Sequence, residues 1–165
     1  MSPPSTDQPP AALRVEMTIN SDPSSLAVVR GAVTRMAELG GLDETGVHNV
    51  TWAIDEALAN VIKHGYEGRP DQPIHLTLEG IVGPDGRRGL AVTVRDRGKQ
   101  VDPATICGRD LADVRPGGLG VHIMRTVMDE VEFSCPMEGG MLLRMVKYVQ
   151  QGEARCPDRP EGTQP

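Results

Sequence analysis

The stretch EALANVIKHGY (56–66) places polar side chains at helical spacing in an otherwise aliphatic run. Glu56, Asn60 and His64 follow one another at intervals of four residues, and Lys63 precedes the last of them. A carboxylate can act as a general base, and an amide oxygen one turn away suits Mg²⁺, which prefers oxygen ligands. His64 could orient either group, and Lys63 could contact a phosphate. The alternative interpretation is an ordinary solvated helix face.

The second candidate stretch, VRDRGKQVD (94–102), follows a predicted strand. Asp96 at the strand end could accept a hydrogen bond from the exocyclic N–H of adenine, and Gly98 would let the base approach the backbone. A carboxylate there disfavours guanine, whose corresponding position is an acceptor. We expect Asp102 to brace the loop rather than to touch the base. A polar turn without a ligand is the alternative.

The third candidate stretch is RPGGLGVHIM (115–124), in which glycines open a predicted helix. Gly117, Gly118 and Gly120, with Leu119 between them, expose backbone N–H groups at a helix N-terminus, which favours a polyphosphate. No Lys-Ser/Thr pair follows the glycines, so this is not a Walker A loop. The alternative is a glycine turn that only begins a helix.

Periodicity predicts the elements that position these stretches. Alternating apolar residues indicate strands, and apolar residues every three or four positions indicate helices. The predicted order is β-α-α-ββ-loop-α-ββ, which gives an α+β, two-layer sandwich with a mostly antiparallel sheet and the helices on one face. The predicted strands cover 13–20, 74–82, 89–96, 131–135 and 141–149, and the predicted helices cover 23–41, about Asp43 to His64, and 118–131.

Composition excludes several classes of protein. The net charge of −6 and the aromatic content of 2% argue against nucleic-acid binding, which needs clustered Lys and Arg or stacking aromatics. Three cysteines without a CxxC pair suit a reducing cytosol. No apolar run reaches the length of a membrane helix, so we expect a cytoplasmic protein. Pro-rich tails at 1–12 and 151–165 are predicted to be disordered around one domain at 13–150.

Taken together, ExxxNxxKH, DxGxxxD and GGLGxxxM resemble the N, G1 and G2 boxes of the GHKL (Bergerat-fold) ATPases. Within that superfamily, the chain looks most like the anti-sigma factor serine kinases of bacterial partner-switching systems. The resemblance implies ATP and Mg²⁺ as cofactors. It also implies that Glu56 is the general base, Asn60 the Mg²⁺ ligand and Asp96 the adenine acceptor, with Gly98, Gly118 and Gly120 around the nucleotide.

The resemblance further implies a reaction and its partners. The family transfers the γ-phosphate of ATP to a serine of a STAS-type anti-sigma factor antagonist and sequesters a sigma factor. Family members commonly form homodimers, which no residue here tests. Three alternatives stay open: a kinase of the same fold that switches a phosphatase or signalling complex, a non-catalytic ATP-regulated binding module, and a small α+β domain without a nucleotide.

Overall fold

A computed structural model describes residues 13–106 and 119–150, which form a five-stranded sheet with three α-helices. The strand order is β1-β2-β3-β5-β4, and every neighbouring pair is antiparallel. The strands are β1 (Arg14–Asn20), β2 (Pro73–Val82), β3 (Arg88–Arg95), β4 (Glu130–Ser134) and β5 (Leu142–Tyr148). The helices are α1 (Leu26–Gly40), α2 (Glu44–Asn60) and α3 (Leu119–Val127). The two predicted tails lie outside the described residues.

The core lies between the three helices and one face of the sheet. It is aliphatic, as the low aromatic content predicts: Val33 and Ile54 of the helices and Val92 and Met145 of the central strands are fully buried. Removing each such side chain from water contributes roughly 1.5–3 kcal/mol before the cost of ordering the chain. The helices therefore cover one face of the sheet, and the predicted α+β two-layer architecture is confirmed.

Local sequence determines where the first two helices begin and end. Asp43 begins α2, because its side chain accepts a hydrogen bond from the Gly46 N–H (2.7 Å). Gly41 ends α1 in the left-handed region (φ 89°), where a residue without Cβ is favoured. The longest helix of the described ranges, α2, has 17 residues. No helix in those ranges combines the length and apolar character that a membrane span requires.

The prediction that α2 continues as an α-helix to His64 is wrong beyond Asn60. Residues Val61–Gly65 form a π-turn, in which the Tyr66 N–H bonds to the Val61 carbonyl five residues earlier (2.8 Å). A π-turn takes more residues per turn than an α-helix, so side chains after Asn60 point in directions that α-helical spacing does not give. Such turns are frequent at functional sites.

The predicted end of the third helix at Val131 is also wrong, because α3 ends at Val127. The Asp129 N–H bonds to the Val146 carbonyl (2.9 Å), and β4 begins at the next residue. Cross-strand pairing with β5 therefore takes over the backbone groups that a longer helix would have used.

Candidate functional site

A cavity of about 240 Å³ lies between the end of α2, the start of α3 and the inner face of the sheet. Three of the predicted site residues, Asn60, His64 and Asp96, line it together. The remaining lining is largely apolar and includes Val94, Val121, Met124, Phe133, Met141 and Leu143. An apolar cavity with few polar groups is typical of sites that bind small molecules.

Asp96 is the buried polar group of this cavity, with only 3% of its surface exposed. Its carboxylate accepts hydrogen bonds from the backbone N–H groups of Gly98 (2.7 Å) and Met141 (3.3 Å). Burial raises the pKa of Asp96, and those N–H groups and the charge of Arg95 offset part of that effect. A carboxylate held in this way can accept a further hydrogen bond from an N–H group at the edge of a flat ligand whose faces are apolar.

The loop that carries Asp96 is hydrogen-bonded to the last residue of the π-turn. The Lys99 N–H donates to the Gly65 carbonyl (3.1 Å). A Cβ added to Gly98 would lie 2.5 Å from that same carbonyl oxygen. Gly98 is therefore required because two backbones approach each other closely, which is a reason that the sequence did not indicate.

The sequence interpretation missed the turn between β4 and β5, which forms another side of the Asp96 loop. Arg95 donates from its guanidinium to the carbonyls of Asp96 and Gly139 (both 2.7 Å). Gly140 has φ 71°, and a Cβ there would overlap the Asp96 backbone. The dipeptide Gly139–Gly140 before Met141 was the available signal, but it predicted only a hairpin turn.

At the other end of the cavity, Glu56 and Asn60 face the first turn of α3. A Cβ added to Gly120 would lie 2.7 Å from Glu56 Oε2 and 3.2 Å from Asn60 Nδ2. A Cβ at residue 120 would require the ends of these two side chains to shift, so the glycine allows them to keep their present positions against the helix. The structure thus brings together a carboxylate and an amide that helical spacing places one turn apart, and adds a glycine of the third stretch beside them.

The other predicted nucleotide-binding residues have different positions. His64 lines the cavity, whereas Lys63 is exposed and does not line it. Leu119 is 60% exposed at the start of α3. Gly117 and Gly118 lie outside the described residues.

Asp102 braces its loop, as the sequence predicts. Its carboxylate accepts a hydrogen bond from the Ala104 N–H (2.9 Å) and begins the 3-10 turn Pro103–Thr105. The cavity lining does not include it.

Comparison with known proteins identifies the family of this chain. The family model of the histidine kinase-like ATPase domain matches residues 19–147. An anti-sigma F factor from Heyndrickxia coagulans is 32% identical over 150 residues, which cover 87% of this chain and 97% of that protein. A serine-protein kinase RsbW from Halalkalibacterium halodurans is 28% identical over 144 residues, which cover 84% of this chain and 85% of that protein.

A solved structure shows the same fold. The crystal structure of the RsbU and RsbW domains of a Mycobacterium tuberculosis protein matches with a TM-score of 0.55 and 17% identity. The match covers 84% of this chain but only 33% of that longer chain. At this identity the likeness concerns the fold alone.

Proposed function

The chain belongs to the histidine kinase-like ATPase family, and we propose that it is an anti-sigma factor serine kinase. In this proposal it transfers the γ-phosphate of ATP to a serine of a STAS-type antagonist and sequesters a sigma factor. The proposal depends on one observation: Asn60 and Asp96 line the same cavity, and Gly120 lies directly against Asn60. The names of the relatives, anti-sigma F factor and serine-protein kinase RsbW, support the choice of reaction and partner.

The base end of the proposed ATP site is the Asp96 end of the cavity. The carboxylate accepts the exocyclic N–H of adenine, and apolar side chains such as Val94 and Leu143 cover the faces of the ring. Guanine would present a carbonyl oxygen to the same carboxylate. Two opposed acceptors in a buried site disfavour that nucleotide, so the site selects ATP over GTP.

The phosphate end lies where α2 meets α3. The N-terminus of α3 favours negative charge, and the close approach at Gly120 brings its first backbone groups near Asn60. His64, which lines the same cavity, is a second polar contact for the nucleotide. Lys63 is exposed beside it, and its predicted contact with a phosphate stays a prediction.

Asn60 fits the Mg²⁺ that the resemblance implies. Its side chain lies beside Gly120 and offers an amide oxygen, a ligand type that a hard cation prefers. Asn60 would hold the ion, which when bound supplies positive charge to the phosphates. One protein ligand is sufficient, because water and phosphate oxygens usually complete the shell of this ion, and Glu56 stays free to act as the base.

Glu56 is the proposed general base for phosphoryl transfer. Its carboxylate takes the proton of the substrate serine as the serine oxygen bonds to the γ-phosphorus and the bond from that phosphorus to the leaving ADP oxygen breaks. In such reactions, positioning and charge neutralisation provide most of the catalysis, and the base adds about 10²- to 10⁴-fold.

Binding and transfer can be tested separately. Saturating Mg-ATP should raise the melting temperature, since a ligand at about 100 times its Kd stabilises the folded state by about 2.7 kcal/mol. Radiolabel from γ-labelled ATP should then appear on a serine of a STAS-type protein that co-purifies with the chain. Absence of any thermal shift at millimolar ATP would refute the nucleotide site.

The same measurements distinguish the alternatives. Binding without transfer would indicate a module in which ATP only regulates partner binding. Transfer without capture of a sigma factor would indicate a kinase that switches another signalling complex. Capture from cytoplasm with and without ATP, followed by mapping of the phosphorylated serine, decides between the two.

A further inference from the structure

Tyr66 lies directly after the π-turn, and its hydroxyl joins two segments of the chain. The side chain is 1% exposed, within the main core. Its hydroxyl donates to the Pro73 carbonyl (2.5 Å) and accepts from the Arg97 N–H (2.7 Å). The donated proton fixes the orientation of the hydroxyl, so that a lone pair faces Arg97. Burial raises the pKa of Tyr66, which keeps that proton in place at neutral pH.

Four consecutive backbone N–H groups hold the loop beside Asp96, and their acceptors are two backbone carbonyls, one carboxylate and one phenol oxygen. The N–H of Asp96 bonds to the Met141 carbonyl (3.1 Å), and that of Gly98 bonds to the Asp96 carboxylate (2.7 Å). The N–H of Lys99 bonds to a backbone carbonyl in the π-turn. Among these four groups, Arg97 alone bonds to a side chain from outside residues 96–99, which is that of Tyr66.

The position of the Asp96 carboxylate therefore depends on the phenol oxygen. Without that oxygen, the Arg97 N–H would need another acceptor, because leaving a partly buried donor unpaired is unfavourable. The residue would have to move toward water, and Asp96 precedes it directly in the chain. A carboxylate that can shift is a poorer discriminator between a donor and an acceptor on the base.

We propose that Tyr66 is a positioning residue that sets the preference of the Asp96 site for adenine over guanine. This inference rests on the proposed function, because it takes Asp96 to be the group that recognises the base. Tyr66 itself does not line the cavity and acts only through the backbone of the loop.

The test is Tyr66→Phe, with Tyr148→Phe as the matched control. Tyr148 is also buried, and its hydroxyl donates to Glu130 (2.7 Å) in a small cluster with Ala91 and Val146, away from Asp96. Each variant removes one phenol oxygen. Calorimetric Kd values for Mg-ATP and Mg-GTP give the selectivity of each protein, and thermal melting gives its stability.

We expect Tyr66→Phe to reduce the ATP-to-GTP affinity ratio by about five- to tenfold, as for the loss of one ordered hydrogen bond. Tyr148→Phe should leave the ratio within about twofold of wild type while lowering the melting temperature comparably. An unchanged ratio in Tyr66→Phe, with lower stability alone, would overturn the inference. If the wild-type chain bound no ATP, the proposed function would fall with it.

A second measurement does not require the variant to fold. In the wild-type protein, amide hydrogen exchange at Arg97 should be slow and should slow further with Mg-ATP, because the ordered loop is then held from both sides. Exchange at the rate of an open loop in both states would show that Tyr66 does not hold this N–H, and would also overturn the inference.

Discussion

At one end of the cavity, the backbone N–H groups of residues 96 to 99 all have acceptors, and Asp96 is buried among them. At the other end, the side chains of Glu56, Asn60 and His64 make no hydrogen bond or ion pair with any residue that the structure describes. At the first end, the hydrogen bonds of these four N–H groups all form within the folded chain. The second end presents polar groups that reach solvent, and these are the groups that the proposed function assigns to the phosphates and the metal.

The difference follows from what each end would bind. A base is discriminated by the direction of hydrogen bonds, which requires an acceptor whose position is fixed before binding. A triphosphate brings its own charge and counter-ion, so free polar side chains and a helix N-terminus are sufficient until it arrives. We call the end around Asp96 the fixed end and the end around Glu56 and Asn60 the open end. Substitutions at the fixed end should change nucleotide selectivity and stability, and substitutions at the open end should change phosphotransfer.

The largest expected effect is at the open end. Glu56→Gln should reduce phosphotransfer to a STAS-type substrate by about 10²- to 10⁴-fold, because the amide cannot take the serine proton. The Mg-ATP thermal shift should persist. Label transfer measures the first effect, and melting measures the second.

Glu44→Gln, an exposed change in the first turn of the same helix, is the matched control and should leave transfer unchanged. Transfer by Glu56→Gln at the wild-type rate would exclude Glu56 as the base.

A methyl group tests how closely α3 must approach α2. Gly120→Ala places a Cβ 2.7 Å from Glu56 Oε2, so the carboxylate or the helix must move. A displacement of this kind costs about 10- to 100-fold in transfer. The same substitution in α1, Gly31→Ala, meets nothing within 4 Å and should instead stabilise the fold by about 0.5–1 kcal/mol. Equal transfer by both variants would mean that the close approach is not needed.

At the fixed end, Asp96→Asn should weaken Mg-ATP binding by about tenfold or more, because a charged acceptor becomes a neutral one. The backbone bonds from Gly98 and Met141 can be retained by the amide oxygen, so the ligand-free protein should still fold. Calorimetry measures the affinity. An affinity equal to wild type would remove Asp96 from base recognition.

The smallest effect is a pH dependence of stability without nucleotide. Because burial raises the pKa of Asp96, the folded state binds its proton more tightly than the unfolded state does. The contribution of Asp96 to the free energy of unfolding therefore falls as pH rises from the ordinary pKa of an Asp side chain through the raised pKa of the folded state. Relative to wild type, Asp96→Asn should lose this decline when urea midpoints are compared across that window. Parallel profiles of urea midpoint against pH for the two proteins would contradict the raised pKa of Asp96.

Much of the fold was predictable because it depends on short-range pattern. The alternation in LRVEMTIN corresponds to β1, where side chains of alternating burial pack on the core. The end of α1 at Gly40 and the start of α2 at Glu44 each lie within one residue of the predicted positions, 41 and 43. The π-turn was not predictable, since its residues fit an α-helical pattern and the bond from the Tyr66 N–H to the Val61 carbonyl, which defines the turn, leaves no signal in that pattern.

By itself, the sequence determined the types of chemical group and the elements that carry them: a carboxylate and an amide one turn apart, an acid after a strand, and glycines before a helix. Only the tertiary structure decided which groups share a cavity, and it added the Gly139–Gly140 turn, Arg95 and Tyr66 to the Asp96 loop. The physical reason is how far apart the interacting residues lie along the sequence. Periodicity and capping act over a few residues, whereas the contacts that fix Asp96 join backbone segments about 30 to 45 residues apart in the chain.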